Sequence, residues 1–248
     1  MLRRNEISMS ATKDNIYAAP LEAVSGFRFD DDVAAVFPDM INRSVPGYST
    51  IIAMTGVLAG RYAQTGTHCY DLGCSLGATT LAMAKHLPEQ QSIVAVDNSS
   101  AMIQRAGQWL DRVQQPVELV QADVNDIDFQ TMSVAAMNFT LQFIPLQQRA
   151  SLLSRLRAAM VDGGVLILSE KICFADEHLQ TLNNELHHEW KRNNGYSDLE
   201  ISQKRNALEN VLIPETLDTH RQRLLDAGFS SVDVWFQCFN FASLVAIA

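Results

Sequence analysis

The sequence predicts an α/β fold of the doubly wound kind. It has a mostly parallel seven-stranded sheet ending in an antiparallel hairpin, a helical cap before the first strand and a helical insertion after the fifth. Three observations predict it. From His68 onward, short runs rich in Val, Ile, Leu and Ala alternate with segments of helical periodicity, the pattern of strands buried on both faces of a parallel sheet. The first such run enters a helix through Asp71-Leu72-Gly73-Cys74-Ser75-Leu76-Gly77, small residues whose turn is expected to present free backbone N–H groups and a positive helix end to a ligand. The last two runs are separated only by Cys238-Phe239-Asn240, too little chain for a crossover helix, so they must pair antiparallel.

Residues 1–14 are polar and patternless and are expected to form a flexible tail, with 15–248 as a single domain. Val33, Val36, Phe37, Met40 and Ile41 recur at helical spacing and predict a helix over 31–43 despite Pro38. Val45-Pro46-Gly47-Tyr48 breaks the chain before a second helix over 49–62, so 31–62 reads as a cap over the sheet's mouth. Strands follow at 68–72, 92–97, 117–121 and 134–139, with helices at 76–87, 101–113 and 145–160. Asp162-Gly163-Gly164 then leads into a fifth strand at 165–169. The rhythm is interrupted over 171–214, where helices at 176–192 and 198–211 are joined by the turn residues Asn193-Asn194-Gly195-Tyr196-Ser197. A helix at 215–227, stopped by Gly228, and strands at 232–237 and 241–247 complete the chain, and no internal repeat is found.

Bulk properties narrow the function. At 248 residues and 27.5 kDa the chain accommodates one large α/β domain with an insertion. A net charge of -9 and a pI near 5.1 leave no surplus of Lys and Arg for gripping a phosphate backbone, so no direct nucleic-acid partner is expected. Lys191-Arg192 and Lys204-Arg205 are short basic clusters among acidic residues, and a solvated helix face and a functional patch stand equally open for them. Arg3-Arg4 precede no apolar segment and no run of 18 apolar residues occurs, which points to a cytoplasmic protein without membrane association. Cys69, Cys74, Cys173 and Cys238 show no Cys-x-x-Cys spacing and read as reduced, buried thiols. The adjacent His187-His188 diverge around a helix, unlike an i, i+4 ligand pair, and no metal is expected.

The glycine loop has the spacing Gly-x-x-x-Gly. It is neither the Gly-x-Gly-x-x-Gly of dinucleotide sites nor a P-loop with its lysine, and it suits a ligand without a pyrophosphate. The second strand ends on Asp97, twenty residues after Gly77; the third ends at Asp123-Val124 and the fourth at Asn138. In a parallel sheet these carboxyl ends converge on one crevice near the switch point of strand order. S-adenosyl-L-methionine answers the ordered set. Asp97 would accept from both ribose hydroxyls, Asp123 from the adenine amino group, and the Val124 N–H would meet a ring nitrogen, with the glycine loop beneath the methionine moiety. Taken singly, each acid reads equally as a turn former or helix cap. On the acceptor side, Asn138-Phe139-Thr140-Leu141-Gln142-Phe143 replaces the Asp/Asn-Pro-Pro-aromatic run of exocyclic-amine methyltransferases, and Cys173 has no motif supporting it as a nucleophile.

Longer strings are more specific. Val36-Phe37-Pro38-Asp39-Met40, Arg43-Ser44-Val45-Pro46-Gly47-Tyr48-Ser49, Asn138 to Phe143, Glu200-Ile201-Ser202-Gln203-Lys204-Arg205 and Trp235-Phe236-Gln237-Cys238-Phe239-Asn240-Phe241, together with the glycine loop, resemble the bacterial carboxy-S-adenosyl-L-methionine synthases. The resemblance runs from about Tyr17 to the C-terminus and implies a Rossmann-like methyltransferase fold in a cytoplasmic homodimer. The implied enzyme converts S-adenosyl-L-methionine and prephenate to carboxy-S-adenosyl-L-methionine and phenylpyruvate. Its product would supply a downstream carboxymethyltransferase that builds 5-oxyacetyluridine at the tRNA wobble position. It implies that the sulfonium methyl is deprotonated, that prephenate loses carbon dioxide and hydroxide, and that the methyl carbon captures the carbon dioxide in a crevice closed to water.

By the same resemblance the ligand is contacted by Tyr48, Gly73, Cys74, Ser75, Asp97 and Asn98, and by Asp123, Val124, Asn138 and Arg205. Arg205 would grip the new carboxylate and, with Tyr48, stand at the reacting centre. From the residues alone, Tyr48 reads equally as a packing aromatic and Arg205 as a surface helix charge. Two rival readings are an ordinary methyltransferase acting on a small molecule or protein, and a noncatalytic cofactor-binding subunit.

Overall fold

The computed structural model describes residues 12–21 and 26–248. Its single seven-stranded sheet has the order β3-β2-β1-β4-β5-β7-β6. In chain order the strands are β1 (His68–Leu72), β2 (Ser92–Asp97), β3 (Val117–Gln121), β4 (Met132–Asn138), β5 (Met160–Lys171), β6 (Ser231–Cys238) and β7 (Phe241–Ile247). The first five pair parallel, while β7 runs antiparallel between β5 and β6. β1 lies between β2 and β4, so strand order reverses there and the two following loops diverge to opposite faces. That divergence opens the crevice in which ligands of such sheets bind.

The central strands are buried on both faces because both carry apolar side chains. One set, including Tyr70, Leu72, Val94, Val96, Met137 and Leu166, packs under α5 (Leu146–Ala159) and α8 (Leu217–Asp226). The alternate set, including Cys69, Ile93, Val134, Ala136 and Ile167, packs under α2 (Tyr48–Tyr62) and α3 (Ala78–Ala84). α4 (Ser100–Leu110) lies beside α1 (Asp31–Ser44), which buries Val33, Val36, Phe37 and Met40. α1 starts where Asp30 Oδ1 accepts from the Val33 N–H, and the cap helix α2 starts after Gly47 at φ 76°. A Cβ on Gly47 would come within 2.2 Å of the Phe236 ring, so glycine is required there for both conformation and space.

The insertion forms α6 (Glu177–Asn193), capped by Asp176, and α7 (Asp198–Leu208), opened by a capping box between Ser197 and Glu200. It is bound to the cap by polar contacts. His187 Nε2 meets the Ser44 carbonyl at 2.9 Å, Lys204 Nζ donates to Ser44 Oγ at 3.0 Å, and Arg43 Nε donates to the Asn194 carbonyl at 2.7 Å.

Several expectations shift at their ends. The helix expected over 76–87 is confined to Ala78–Ala84, because Ser75 and Gly77 take positive φ in the loop. The helix expected to reach Val211 ends at Leu208. The fifth strand is longer than 165–169, since β5 begins at Met160 and takes in the Asp162-Gly163-Gly164 segment as an irregularity, with Gly163 at φ 72° and a register shift against β4. The tail expected over 1–14 lies outside the described residues up to 11, but its last residue, Asp14, is buried. Asp14 accepts from Tyr196 Oη at 2.5 Å and lies 3.7 Å from Lys204 Nζ.

Candidate functional site

All ten residues expected to contact the ligand line one cavity of about 1350 Å³ at the carboxyl ends of β1, β2 and β4. The glycine loop forms its floor. Gly73 (φ 81°), Ser75 (φ 48°) and Gly77 (φ 83°) fold the loop back onto β2, so the Gly73 and Cys74 N–H groups both donate to the Val96 carbonyl, at 2.8 and 2.9 Å. The Ser75 N–H donates to Asp97 Oδ2 at 2.9 Å and that of Gly77 to the Cys74 carbonyl at 2.8 Å. This corrects the expectation of free N–H groups for the first part of the loop: the Gly73, Cys74 and Ser75 donors stitch it to β2, and there its contribution is shape. A Cβ on Gly73 would sit 2.1 Å from Thr140 Oγ1, which keeps the floor closed against the loop after β4.

Asp97 is 9% exposed and accepts at each oxygen, from Ser75 N–H and from Ser99 N–H, both at 2.9 Å. One lone pair on each oxygen remains, which fits a vicinal diol. Burial raises its pKa, partly offset by these two N–H donors. Asn98 follows it at the rim. Asp123 caps the short 3-10 turn Val124–Asp126 by accepting from the Asn125 N–H at 2.8 Å, so Val124 stands where the first N–H of such a turn has no intrahelical partner. Asn138 is engaged within the protein: it accepts from Ser169 Oγ at 2.7 Å and donates to Thr79 Oγ1 at 3.1 Å. Tyr48 covers the cavity from the start of α2, 6.3 Å from the ring of Phe139, which follows β4 in a left-handed conformation at φ 63°. Burial and the nearby Asp71 push the Tyr48 phenol upward, so it acts as a neutral hydroxyl.

Asp71 lies beneath the loop, buried, and accepts from Thr80 Oγ1 at 2.6 Å. Desolvation raises its carboxyl to about 7. The Cys74 thiol is pushed up by burial and by the Asp71 and Asp97 carboxylates, which removes it as a nucleophile at neutral pH.

The acceptor loop is held from below by a buried polar network. Glu170, fully buried, accepts from the Leu141 and Gln142 N–H groups, both at 2.9 Å, and burial raises it to about 8. Arg149, 0% exposed, donates to the carbonyls of Ile144, Gln142 and Ile213 and to Glu215 Oε2. Gln142 also accepts from the Lys171 N–H at 2.9 Å and so ties the loop to the end of β5.

The opposite wall is cationic. Lys171 at the end of β5, Lys191 on α6, and Lys204 and Arg205 on α7 all line the cavity, with two exposed carboxylates, Glu185 and Glu209, beside them. The two basic clusters split between the two readings left open for them: Arg192 and Arg205 are exposed, whereas Lys191 is 7% and Lys204 5% exposed. Arg205 makes no hydrogen bond or ion pair among the described residues and stands at the lip of the cavity, while its helix is fixed by Lys204. His187 and His188, expected to diverge, have rings 6.2 Å apart and both line the cavity. Burial and the neighbouring Lys191 and Lys171 depress His187 to about 3, so it is neutral. Lys204 had one signal in the sequence, its place in the Glu200–Arg205 string outside the cofactor motifs, whereas Lys191 had only its short basic cluster with Arg192.

A methyltransferase-domain family matches residues 70–164, the span from β1 to the start of β5. The carboxy-S-adenosyl-L-methionine synthase of Citrifermentans bemidjiense is 56% identical over 242 residues, covering 96% of this chain and 99% of its own. That of Trichlorobacter lovleyi is 58% identical over 243 residues, and that of Pseudomonas putida 55% over 246, each with 96% of this chain and 100% of its own covered. Among solved structures, human N-acetylserotonin methyltransferase in complex with SAM superposes with a TM-score of 0.61 at 14% identity, over 88% of this chain and 55% of that one. A candidate S-adenosyl-L-methionine-dependent methyltransferase from Methanococcus maripaludis does so with a TM-score of 0.58 at 20% identity, over 91% and 96%. These structures are similar in fold.

Proposed function

The chain belongs to the carboxy-S-adenosyl-L-methionine synthase family, and from that membership we propose that it converts S-adenosyl-L-methionine and prephenate to carboxy-S-adenosyl-L-methionine and phenylpyruvate. The observation that carries this reading is the polarity of the cavity, which places acidic groups at the nucleoside end and lysines with Arg205 at the other. An ordinary methyl donor site has no need of a cationic wall beyond its cofactor; a reaction that consumes a dianion and leaves a new carboxylate does.

The residues fit the adenosyl ligand. Asp97 takes the ribose hydroxyls on its free lone pairs, Asp123 the adenine amino group and the Val124 N–H a ring nitrogen. Gly73, Cys74, Ser75, Asn98 and Asn138 shape the remaining walls. Bound S-adenosyl-L-methionine supplies a methyl group acidified by its sulfonium. The proton lost from that methyl leaves as water with the hydroxide released from prephenate, and the carbon dioxide released forms the new carbon–carbon bond. Around the reacting atoms Tyr48 closes the roof with a neutral hydroxyl, and α1, α2, α6 and α7 restrict water that would otherwise return the proton. Arg205, with no partner in the fold among the described residues, is free to pair with the new carboxylate in a planar, two-bond contact.

The protein so read acts as a homodimer in the cytoplasm, upstream of a carboxymethyltransferase that modifies tRNA, and grips no nucleic acid itself. Its charge of -9 supports this, and among the described residues no helix is long and apolar enough to cross a membrane. The test is incubation of the purified chain with both substrates. Stoichiometric phenylpyruvate supports the reading, whereas S-adenosylhomocysteine with a methylated acceptor marks an ordinary methyltransferase, and no turnover a binding subunit.

A further inference from the structure

We propose that Lys171 and Lys191 form the subsite for the co-substrate, an organic dicarboxylate, with one ammonium for each carboxylate; this rests on the function proposed above. Lys191 is 7% exposed, faces the cavity from the last turn of α6, and has no hydrogen bond or ion pair among the described residues. Lys171 is the last residue of β5, at the carboxyl edge of the sheet where the chemistry takes place, and its ammonium likewise has no partner among the described residues. Its backbone is fixed through Gln142 of the acceptor loop.

Lys204 shows what a structural lysine looks like in the same wall. It donates to Ser44 Oγ at 3.0 Å and faces Asp14 Oδ2 at 3.7 Å. Asp14 is the one carboxylate that favours the charged form of Lys191; desolvation, Lys204 and Lys171 act against it and bring it down to about 7. Desolvation also lowers Lys171. Two ammoniums turned into a cavity without a hydrogen bond or ion pair among the described residues, Lys191 having only the Tyr196 ring at 6.0 Å and the field of Asp14, destabilise the empty protein, and a bound dianion removes that penalty. His187 does not share the work, because it is neutral and its Nε2 is taken by the Ser44 carbonyl.

Space and field agree with the charge. The cavity, at about 1350 Å³, exceeds the roughly 300–1,000 Å³ typical of a site for one small ligand, so a second molecule fits beside the adenosyl group. On a protein of net charge -9 the cluster is a local positive focus, which draws a small anion past an otherwise repelling surface. The two lysines are distinct from Arg205, which stands at the lip and is assigned to the product.

The test uses the full chain with Lys171→Met and Lys191→Met, which keep the stems and remove the charges. With both substrates, KM for prephenate is expected to rise about ten- to a hundredfold in each variant, while KM for S-adenosyl-L-methionine moves less than about threefold. The ligand-free variants should melt no lower than wild type. Unchanged prephenate KM in both variants, with product still formed, overturns the subsite and leaves the proposed function standing. A second arm is independent of turnover: calorimetric titration of malonate into protein loaded with S-adenosyl-L-methionine. Wild type should bind it and both variants should lose most of that affinity. No binding to wild type, or equal binding to all three, overturns the proposal. If wild type makes no phenylpyruvate but malonate binding follows the lysines, the reaction has been misread and the dianion site upheld.

Discussion

Ser75 N–H and Asp97 Oδ2 are 2.9 Å apart, so the glycine loop after β1 and the carboxylate that ends β2 form a single unit. Asp97 therefore holds the floor of the cavity as well as presenting lone pairs to a ribose. Asp97→Asn keeps the shape but turns an acceptor into a donor that faces either Ser75 or Ser99. The expected outcome is a rise of about ten- to a hundredfold in Kd for S-adenosyl-L-methionine, read by calorimetry, with fold intact by circular dichroism. A smaller effect than that of Asn98→Ala would remove Asp97 from its assigned role.

Arg205→Ala should leave the melting temperature unchanged, since the side chain is exposed and has no partner in the fold among the described residues. It should weaken carboxy-S-adenosyl-L-methionine by about ten- to a hundredfold and S-adenosyl-L-methionine hardly at all. Competition between the two ligands measures the ratio, and equal losses would show that Arg205 does not recognise the added carboxylate.

Arg149→Ala should be far more damaging than any exposed substitution. The guanidinium is fully buried and closes three carbonyls and Glu215 in one network. Its removal leaves the Ile144 and Ile213 carbonyls without their donor, at about 1–3 kcal/mol each in denaturant unfolding, while the Gln142 carbonyl keeps the Ile213 N–H. Glu215 keeps Arg223, so the loss falls on the acceptor loop, and activity should fail before the sheet does.

Asp71 gives the ligand-free protein a component of stability that falls as pH rises from about 4 to 7, opposite in sign to those of the buried His187 and His220, because Asp71 is raised to about 7 and binds a proton in the fold that the unfolded chain releases near 4. Its contribution is full below the unfolded value and is lost as pH passes the folded one. Asp71→Asn removes the titration while keeping an oxygen for Thr80, so the variant should gain stability relative to wild type as pH rises through that window. Thermal melts at pH 5 and pH 7.5 read the difference. An identical slope in both proteins would mean that Asp71 is not the group concerned.

The sheet was legible in the sequence because its strands are apolar, β-branched runs stopped by polar residues. β1, β2, β3 and β7 begin and end where the pattern does. The start of β5 was legible only in part: Gly163 does turn, at φ 72°, but as a bulge inside a strand that begins at Met160, and Gly164 lies against Met160 and the Ser133 carbonyl, where a side chain would not fit. The nucleoside end of the cavity was legible because strand ends converge by topology, whichever helices surround them. The cationic end was not. Lysine on a helix is ordinarily solvated, and what buries Lys191 and Lys204 is the approach of Ser44 and Asp14, residues distant along the chain, together with Tyr196 from the turn between their helices. The free donors expected of the glycine loop failed in its first part for a related reason: periodicity does not reveal that a loop will spend its N–H groups on the neighbouring strand.

One assay decides whether the enzyme makes a carboxylated adenosyl product. The purified chain is given S-adenosyl-L-methionine and prephenate labelled with carbon-13 in its ring carboxylate, and the adenosyl species are weighed by mass spectrometry. A product heavier than S-adenosyl-L-methionine by one carboxyl group, carrying the label and matched by phenylpyruvate, is the expected result. An adenosyl pool that stays unlabelled while S-adenosylhomocysteine accumulates would contradict it.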